Sequence, residues 1–179
     1  MSNLEIAQSI VAGGIKTNYH DVGEGYPTFL IHGSGPGVTA YANWRLTMPV
    51  LSEKFRVIAP DMVGFGFTER PAGVQYGMDM WVSHALALMD ALKIDKVHFI
   101  GLSMGGMIGQ QLGARYPERV YSLSLCDTAS EMPPRSLWEE RFEIARKEGI
   151  AGLVDGTIKR WFTAPFIARA PQDIAKVRE

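Results

Sequence analysis

Apolar and polar positions follow one another along this chain in a pattern that predicts strands first and helices between them. Residues 6–12 and 15–22 read as two β-like runs, and the Gly13-Gly14 pair between them supplies the positive φ angles of a tight hairpin turn. The run Thr28-Phe29-Leu30-Ile31 is almost wholly apolar, as expected of a strand covered on both faces. Residues 40–51 predict a helix that Pro49 ends or kinks, and residues 55–59 the next strand. Beyond a turn-rich loop, Trp81, Ala85, Leu88 and Leu92 form one apolar row that Val82, Leu86 and Met89 widen. That stripe predicts a helix over 81–92, capped by Asp79 and packed on a sheet. An apolar strand from Val97, a helix over 104–116 broken at Pro117 and a strand over 120–126 complete the pattern. Strands alternating with helical segments imply crossover units and a mainly parallel sheet, hence an α/β fold.

From about residue 131 the pattern turns helical, which divides the chain into a core over 1–130 and a helical segment over 131–179. Ser136 with Glu139 reads as a capping box for a helix carrying Trp138, Phe142 and Ala145, with Gly149 placed to end it. A second helix carries Val154, Ile158 and Trp161 and stops before Pro165; a third begins at Pro171, spaces Ile174 and Val177 three apart and runs to Glu179 without a stop signal.

Composition narrows the function classes. The 179 residues, 46% hydrophobic and 21% charged, suffice for one sizeable core. A net charge of −1 with scattered basic residues leaves no electrostatic footprint for nucleic acid or an anionic membrane, so a small-molecule ligand is expected. Cys126 alone forms no internal disulfide, and Met1-Ser2-Asn3-Leu4 opens neither a signal nor a transit peptide, which predicts a cytoplasmic protein. The apolar helix over 81–92, interrupted by His84 and Asp90, is too short to span a bilayer. Neither the cysteine nor the four histidines show metal-site spacing, and no metal or cofactor is implied.

The chemistry concentrates at Gly101-Leu102-Ser103-Met104-Gly105, where a buried strand runs through a sharp turn into a helix. This fits the Gly-x-Ser-x-Gly nucleophile elbow, whose crowding admits only glycine at the flanking positions. Such a turn presents the Ser103 hydroxyl at the amino end of the next helix, where N–H groups and the helix dipole favour developing negative charge. The loop His32-Gly33-Ser34-Gly35-Pro36-Gly37 leaves the carboxyl end of another buried strand, and its glycines let a backbone N–H approach a ligand closely. The N–H groups of Ser34 and Met104 are the candidate oxyanion hole, with Ser103 the candidate catalytic nucleophile.

With this loop, the Pro60-Asp61-Met62-Val63-Gly64-Phe65-Gly66 loop and the elbow in this order, the chain resembles the α/β-hydrolase family. The segment from Leu30 to Leu92, with Ala42-Asn43-Trp44-Arg45 within it, is similar to the meta-cleavage product hydrolases, which split carbon–carbon bonds in aromatic-degradation intermediates. From Gly101 onwards, with Leu125-Cys126-Asp127-Thr128-Ala129 and Arg160-Trp161-Phe162-Thr163, the chain resembles the 3-oxoadipate enol-lactonases. The resemblance implies a helical cap over Ser103 in the segment 131–179, with Arg160 and Trp161 facing the pocket, and a substrate contact at Asn43. The carbon–carbon hydrolases usually carry asparagine just before the nucleophile; Leu102 stands there, which ranks ester or lactone hydrolysis through an acyl-enzyme first and carbon–carbon cleavage second.

In the family the triad acid and histidine follow the cap, so the resemblance implies that this chain stops before both and lacks the last strands. His20, His32, His84 and His98 read as structural, and Asp127 stands where some related hydrolases keep their acid. A third reading is therefore a silent hydrolase-like chain that binds ligand or a partner. Tyr121, Leu123 and Leu125 alternate with small residues on a strand without charged guards, which predicts an open sheet edge and a homo-oligomer formed through it or through the cap.

Overall fold

A computed structural model describes residues 3–35, 37–131 and 134–178. Met1, Ser2, Pro36 of the glycine-rich loop and Glu179 of the last predicted helix lie outside them. Two compact units make up the chain, residues 1–131 and 132–179.

The first unit is built on a six-stranded sheet of order β1-β2-β4-β3-β5-β6: β1 (Gln8–Ala12), β2 (Ile15–Val22), β3 (Pro27–Ile31), β4 (Arg56–Pro60), β5 (Val97–Leu102) and β6 (Val120–Cys126). The hairpin β1–β2 joins β4 antiparallel, and β4, β3, β5 and β6 run parallel. The crossovers place α3 (Met78–Ala91) and α4 (Met104–Arg115) on one face and the short helices α1 (Ala40–Trp44) and α2 (Met48–Leu51) on the other. Alternation along β3 serves both faces: Phe29 and Ile31 join the larger core with Val82, Leu88, Ile108 and Leu112, while Leu30 joins Ala40, Trp44 and Met48. Burying the larger aliphatic and aromatic side chains among these contributes roughly 1.5–3 kcal/mol each. The mostly parallel α/β sheet expected from the sequence is the one observed.

Several local expectations are corrected. The single helix expected over 40–51 is two, because Pro49 sits in the first turn of α2, where its missing N–H costs nothing, instead of terminating α1. Gly77, not Asp79, caps α3; Asp79 lies in the first turn and pairs with Arg115 at 2.6 Å.

In the second unit, α5 (Arg135–Glu148) ends at Gly149, whose φ of 72° suits glycine, but it starts at Pro134 without a side-chain cap. The capping box is absent because Ser136 lies within the helix and Glu139 pairs with Arg135 at 2.8 Å. The helix α6 (Val154–Trp161) is followed by α7 (Ala164–Arg169), begun by the Pro165 expected only as a stop, and α8 (Pro171–Arg178). Phe162 and Phe166 stack at 5.4 Å between centroids, and Arg178 pairs with Asp155 to join α8 to α6.

Candidate active site

Ser103 forms the junction between β5 and α4, with φ 53° and ψ −114°. A non-glycine residue held there costs of order 1–3 kcal/mol, so the surroundings must impose it. They do so by hydrogen bonds on both sides: Ser103 N–H donates to Cys126 O on β6 (2.9 Å), and Ser103 O accepts from Gly106 N–H (3.0 Å) and the Thr128 hydroxyl (2.7 Å). The flanking glycines are required by crowding. A Cβ on Gly105 would meet the carbonyl of Ile31, and one on Gly101 would meet that of Gly105. The Ser103 residue is exposed, and Met104, first residue of α4, is buried. The α4 N–H groups from Gly106 and Met107 turn back to Ser103 O, while Met104 N–H has no acceptor among the described residues.

Gly33 packs directly beside the serine: a Cβ on it would lie 3.3 Å from Ser103 Cβ and 3.8 Å from Oγ. His32, fully buried, holds this loop. Met62 N–H donates to His32 Nε2 (3.0 Å), so the ring proton sits on Nδ1 and is donated to Gly33 O at 2.6 Å. Burial holds the imidazole below its ordinary pKa, in the neutral form this arrangement requires. A trans peptide points its C=O and N–H in opposite directions, so turning Gly33 O to the imidazole turns Ser34 N–H away from it. Ser34 is exposed. Asn43, expected as a substrate contact, is half-buried and accepts Gly33 N–H on Oδ1 at 3.1 Å.

The other histidines are engaged elsewhere. His84 accepts from Val63 N–H (3.3 Å) and lies 2.8 Å from Thr17 Oγ1, and burial pushes its pKa down to about 4. His20 is buried against Tyr41, and burial lowers its pKa too. His98 meets Ser122 at 2.8 Å. Among the described residues no side chain hydrogen-bonds Ser103 Oγ. Asp127 follows β6 in an exposed position with φ 43°. Arg160 and Trp161 lie on α6 in the second unit: Arg160 has its pKa lowered by burial and then by Arg141, and Trp161 is 57% exposed.

One residue escaped the sequence reading. Asp61, fully buried, accepts from Ala40 N–H (2.6 Å), Phe67 N–H (2.8 Å) and Asn18 Nδ2 (2.8 Å). It ties β2, the start of α1 and the loop after β4 together. The signal was present in an aspartate leaving a buried strand with glycines at Gly64 and Gly66; a Cβ on Gly66 would strike its carboxylate. Among the described residues no group of three or more His, Cys, Asp or Glu converges as a metal site would, and no helix is long and apolar enough to cross a membrane.

Known proteins share the fold. The chain is 56% identical over 123 residues to the 2-hydroxy-6-oxo-2,4-heptadienoate hydrolase of Pseudomonas putida, a match covering 69% of this chain and 45% of that protein. It therefore spans about half the length of such relatives. Among solved structures, the serine-to-alanine variant of a meta-cleavage product hydrolase from Pseudomonas fluorescens IP01, complexed with acetates, is 49% identical with a TM-score of 0.70, over 79% of this chain and 57% of that one. The enol-lactonase from Burkholderia xenovorans LB400 is 34% identical with a TM-score of 0.79, over 96% of this chain and 66% of that one. The family model for the alpha/beta hydrolase fold matches residues 27–166. With that match spanning the glycine loop, the Asp61 loop and the elbow, the chain belongs to the α/β-hydrolase family.

Proposed function

We propose that the protein is a serine hydrolase that cleaves a carbon–carbon bond of a meta-cleavage type substrate. The observation that carries this reading is the 56% identity to a hydrolase of that class, against 34% to an enol-lactonase. It reverses the order drawn from Leu102. That side chain packs with Ile100 against the cluster of Leu30, Ala40 and Trp44, so its apolar character serves the sheet face over α1 and says little about substrate.

In this reading Ser103 Oγ adds to a substrate carbonyl, and the Ser34 and Met104 N–H groups stabilise the oxyanion that forms, the term worth most in acyl transfer. The electron pair of the broken bond leaves as a carbanion conjugated with the rest of a vinylogous diketone and takes up the proton that Ser103 Oγ gave up on adding to the carbonyl, and water then hydrolyses the acyl-serine, releasing the acid and returning a proton to Oγ. By the family resemblance the second unit is assigned the role of cap, with Arg160 and Trp161 its candidate substrate contacts. Lactone hydrolysis is the second reading, favoured by one observation: the likeness to the enol-lactonase extends over 96% of this chain.

The test compares a vinylogous diketone with an enol-lactone on the same preparation. A higher kcat/KM for the diketone, lost in Ser103→Ala, is the expected outcome. A higher value for the lactone reverses the assignment, and equal turnover by Ser103→Ala removes the serine from it.

A further inference from the structure

We propose that Thr128 is a positioning residue for Ser103, holding the strained backbone of the nucleophile through its carbonyl and not touching substrate. The inference rests on the reading of Ser103 as nucleophile and Met104 N–H as oxyanion donor. It starts from the end of the β5–β6 ladder. Leu102 is in register with Cys126, the last residue of each strand, and Ser103 N–H makes one more rung by donating to Cys126 O at 2.9 Å. In a regular parallel ladder Ser103 O would then accept from the backbone of residue 128. Neither chain continues as a strand: Ser103 turns into α4 with φ 53°, and Asp127 turns away with φ 43°. The rung is made all the same, by the side chain of the same residue, as the Thr128 hydroxyl donates to Ser103 O at 2.7 Å.

Both peptide planes of Ser103 are therefore tied to the segment that follows β6. The second plane also carries Met104 N–H, which in a trans peptide points opposite to the Ser103 carbonyl. Drawing Ser103 O toward Thr128 and the first turn of α4, where Gly106 and Met107 N–H also reach it (3.0 and 3.2 Å), aims Met104 N–H the other way. The two helix N–H groups belong to the element that would swing with the peptide; the hydroxyl comes from outside it and opposes that relaxation. Thr128 is itself seated by crowding. A Cβ on Gly106 would lie 2.6 Å from Thr128 Cβ and 2.7 Å from Oγ1, so the threonine occupies the space over the helix that this glycine leaves. Gln110 Nε2, also on α4, donates to Ala129 O at 3.1 Å and holds the next residue. A hydroxyl fixed in this way keeps Ser103 in a sparsely populated φ/ψ region before any substrate arrives, and with it the directions of both Oγ and Met104 N–H.

Labelling of Ser103 by a neutral alkyl fluorophosphonate reads this directly, because the phosphoryl oxygen develops charge where the oxyanion would. Threonine, valine, serine and alanine at this position separate the hydroxyl from the methyl. Thr128→Val keeps the shape and removes the donor; its maximal labelling rate should fall about tenfold, the worth of one well-placed hydrogen bond, while the half-saturating probe concentration stays within about twofold. Thr128→Ser keeps the donor and should label within about threefold of the parent, and Thr128→Ala should lag Thr128→Ser by about the factor that separates Thr128→Val from the parent. A Thr128→Val protein as fast as the parent, one that only binds the probe more weakly, or a Thr128→Ser protein as slow as Thr128→Val overturns the proposal. Should Thr128→Val fail to fold, the serine and alanine pair decides alone, equal rates overturning the proposal. Absent labelling of the parent protein, or equal labelling of Ser103→Ala, would instead defeat the serine-hydrolase reading. The carbonyl carbon resonance of Ser103 still reports on the bond in that case: it should move in Thr128→Val and hold its place in Thr128→Ser, and a resonance unmoved by Thr128→Val overturns the proposal.

Discussion

The two faces of the sheet are held by different means. On the face of α3 and α4 a large apolar core of fully buried side chains, among them Phe99, Leu88 and Ile108, fixes the helices by packing. On the face of α1 and α2 the core is small, and α1 is only five residues long. There the geometry comes from polar bonds: Asp61 to Ala40, Thr39 to Ala42 and to Glu5, Asn43 to Gly33. Packing is strong and tolerant of small displacements in detail, whereas hydrogen bonds weaken steeply with distance and angle. The helix that begins after Ser103 belongs to the packed face and the loop of Gly33 and Ser34 to the bonded one, so stability and the geometry around Ser103 should respond to different substitutions.

Leu88→Ala should separate them most sharply. Truncating this fully buried residue should cost about 4 kcal/mol in urea unfolding, yet leave the labelling rate of folded Ser103 unchanged. A slowed site in a folded Leu88→Ala protein would collapse the distinction.

Acid should act next, and also through the packed side. His84 on α3 has its folded pKa pushed to about 4 by burial against 6.5 unfolded, so the unfolded chain binds the proton first as pH falls. Stability is complete above about pH 6.5 and lost between there and pH 4, by about 3 kcal/mol for this group. His20 and His32, lowered in the same direction, add to the loss. Urea titrations at pH 7 and pH 4.5 measure it, and an unchanged midpoint would contradict the buried, neutral state of these rings.

Thr39→Ala tests the other face. Losing the cap of α1 should cost only about 1 kcal/mol, but the Asn43 bond to Gly33 hangs from that helix, so labelling of Ser103 should slow several-fold. A full-rate Thr39→Ala protein would show that α1 keeps its place by packing after all. The smallest effect on folding is expected at the edge. β6 pairs only with β5 among the described residues, with Tyr121, Leu123 and Leu125 exposed. Leu123→Lys should change stability by less than about 0.5 kcal/mol while turning a self-associated parent into a monomer in sedimentation at low micromolar concentration; a monomeric parent refutes the edge as an interface.

The packed face was legible in the sequence because it is made of periodic apolar positions. The stripe of Trp81, Ala85 and Leu88, the unbroken run of β3 and the glycines around Ser103 fall where the structure has them. The bonded face was not, because its partners are far apart in the chain: Asp61 meets Ala40, Gly33 meets Asn43 and His32 meets Met62 across loops that no local pattern encodes. Capping errors at Asp79 and Ser136 have a similar origin, since an ion pair with Arg115 or Arg135 competes for the same carboxylates and only the fold decides between them.

The single bond from Met62 to His32 has a consequence for the order in which the protein becomes competent. It spans 30 residues and exists only once β4 lies beside β3 in register. Closing such a loop is entropically slow compared with forming α3 or α4, so the helix after Ser103 can be native while the Gly33–Ser34 peptide is still unaimed. The geometry around Ser103 is then among the last properties acquired on refolding and among the first surrendered to local opening. A chain caught with a misplaced β4 would be compact and helical, yet without the native loop beside Ser103.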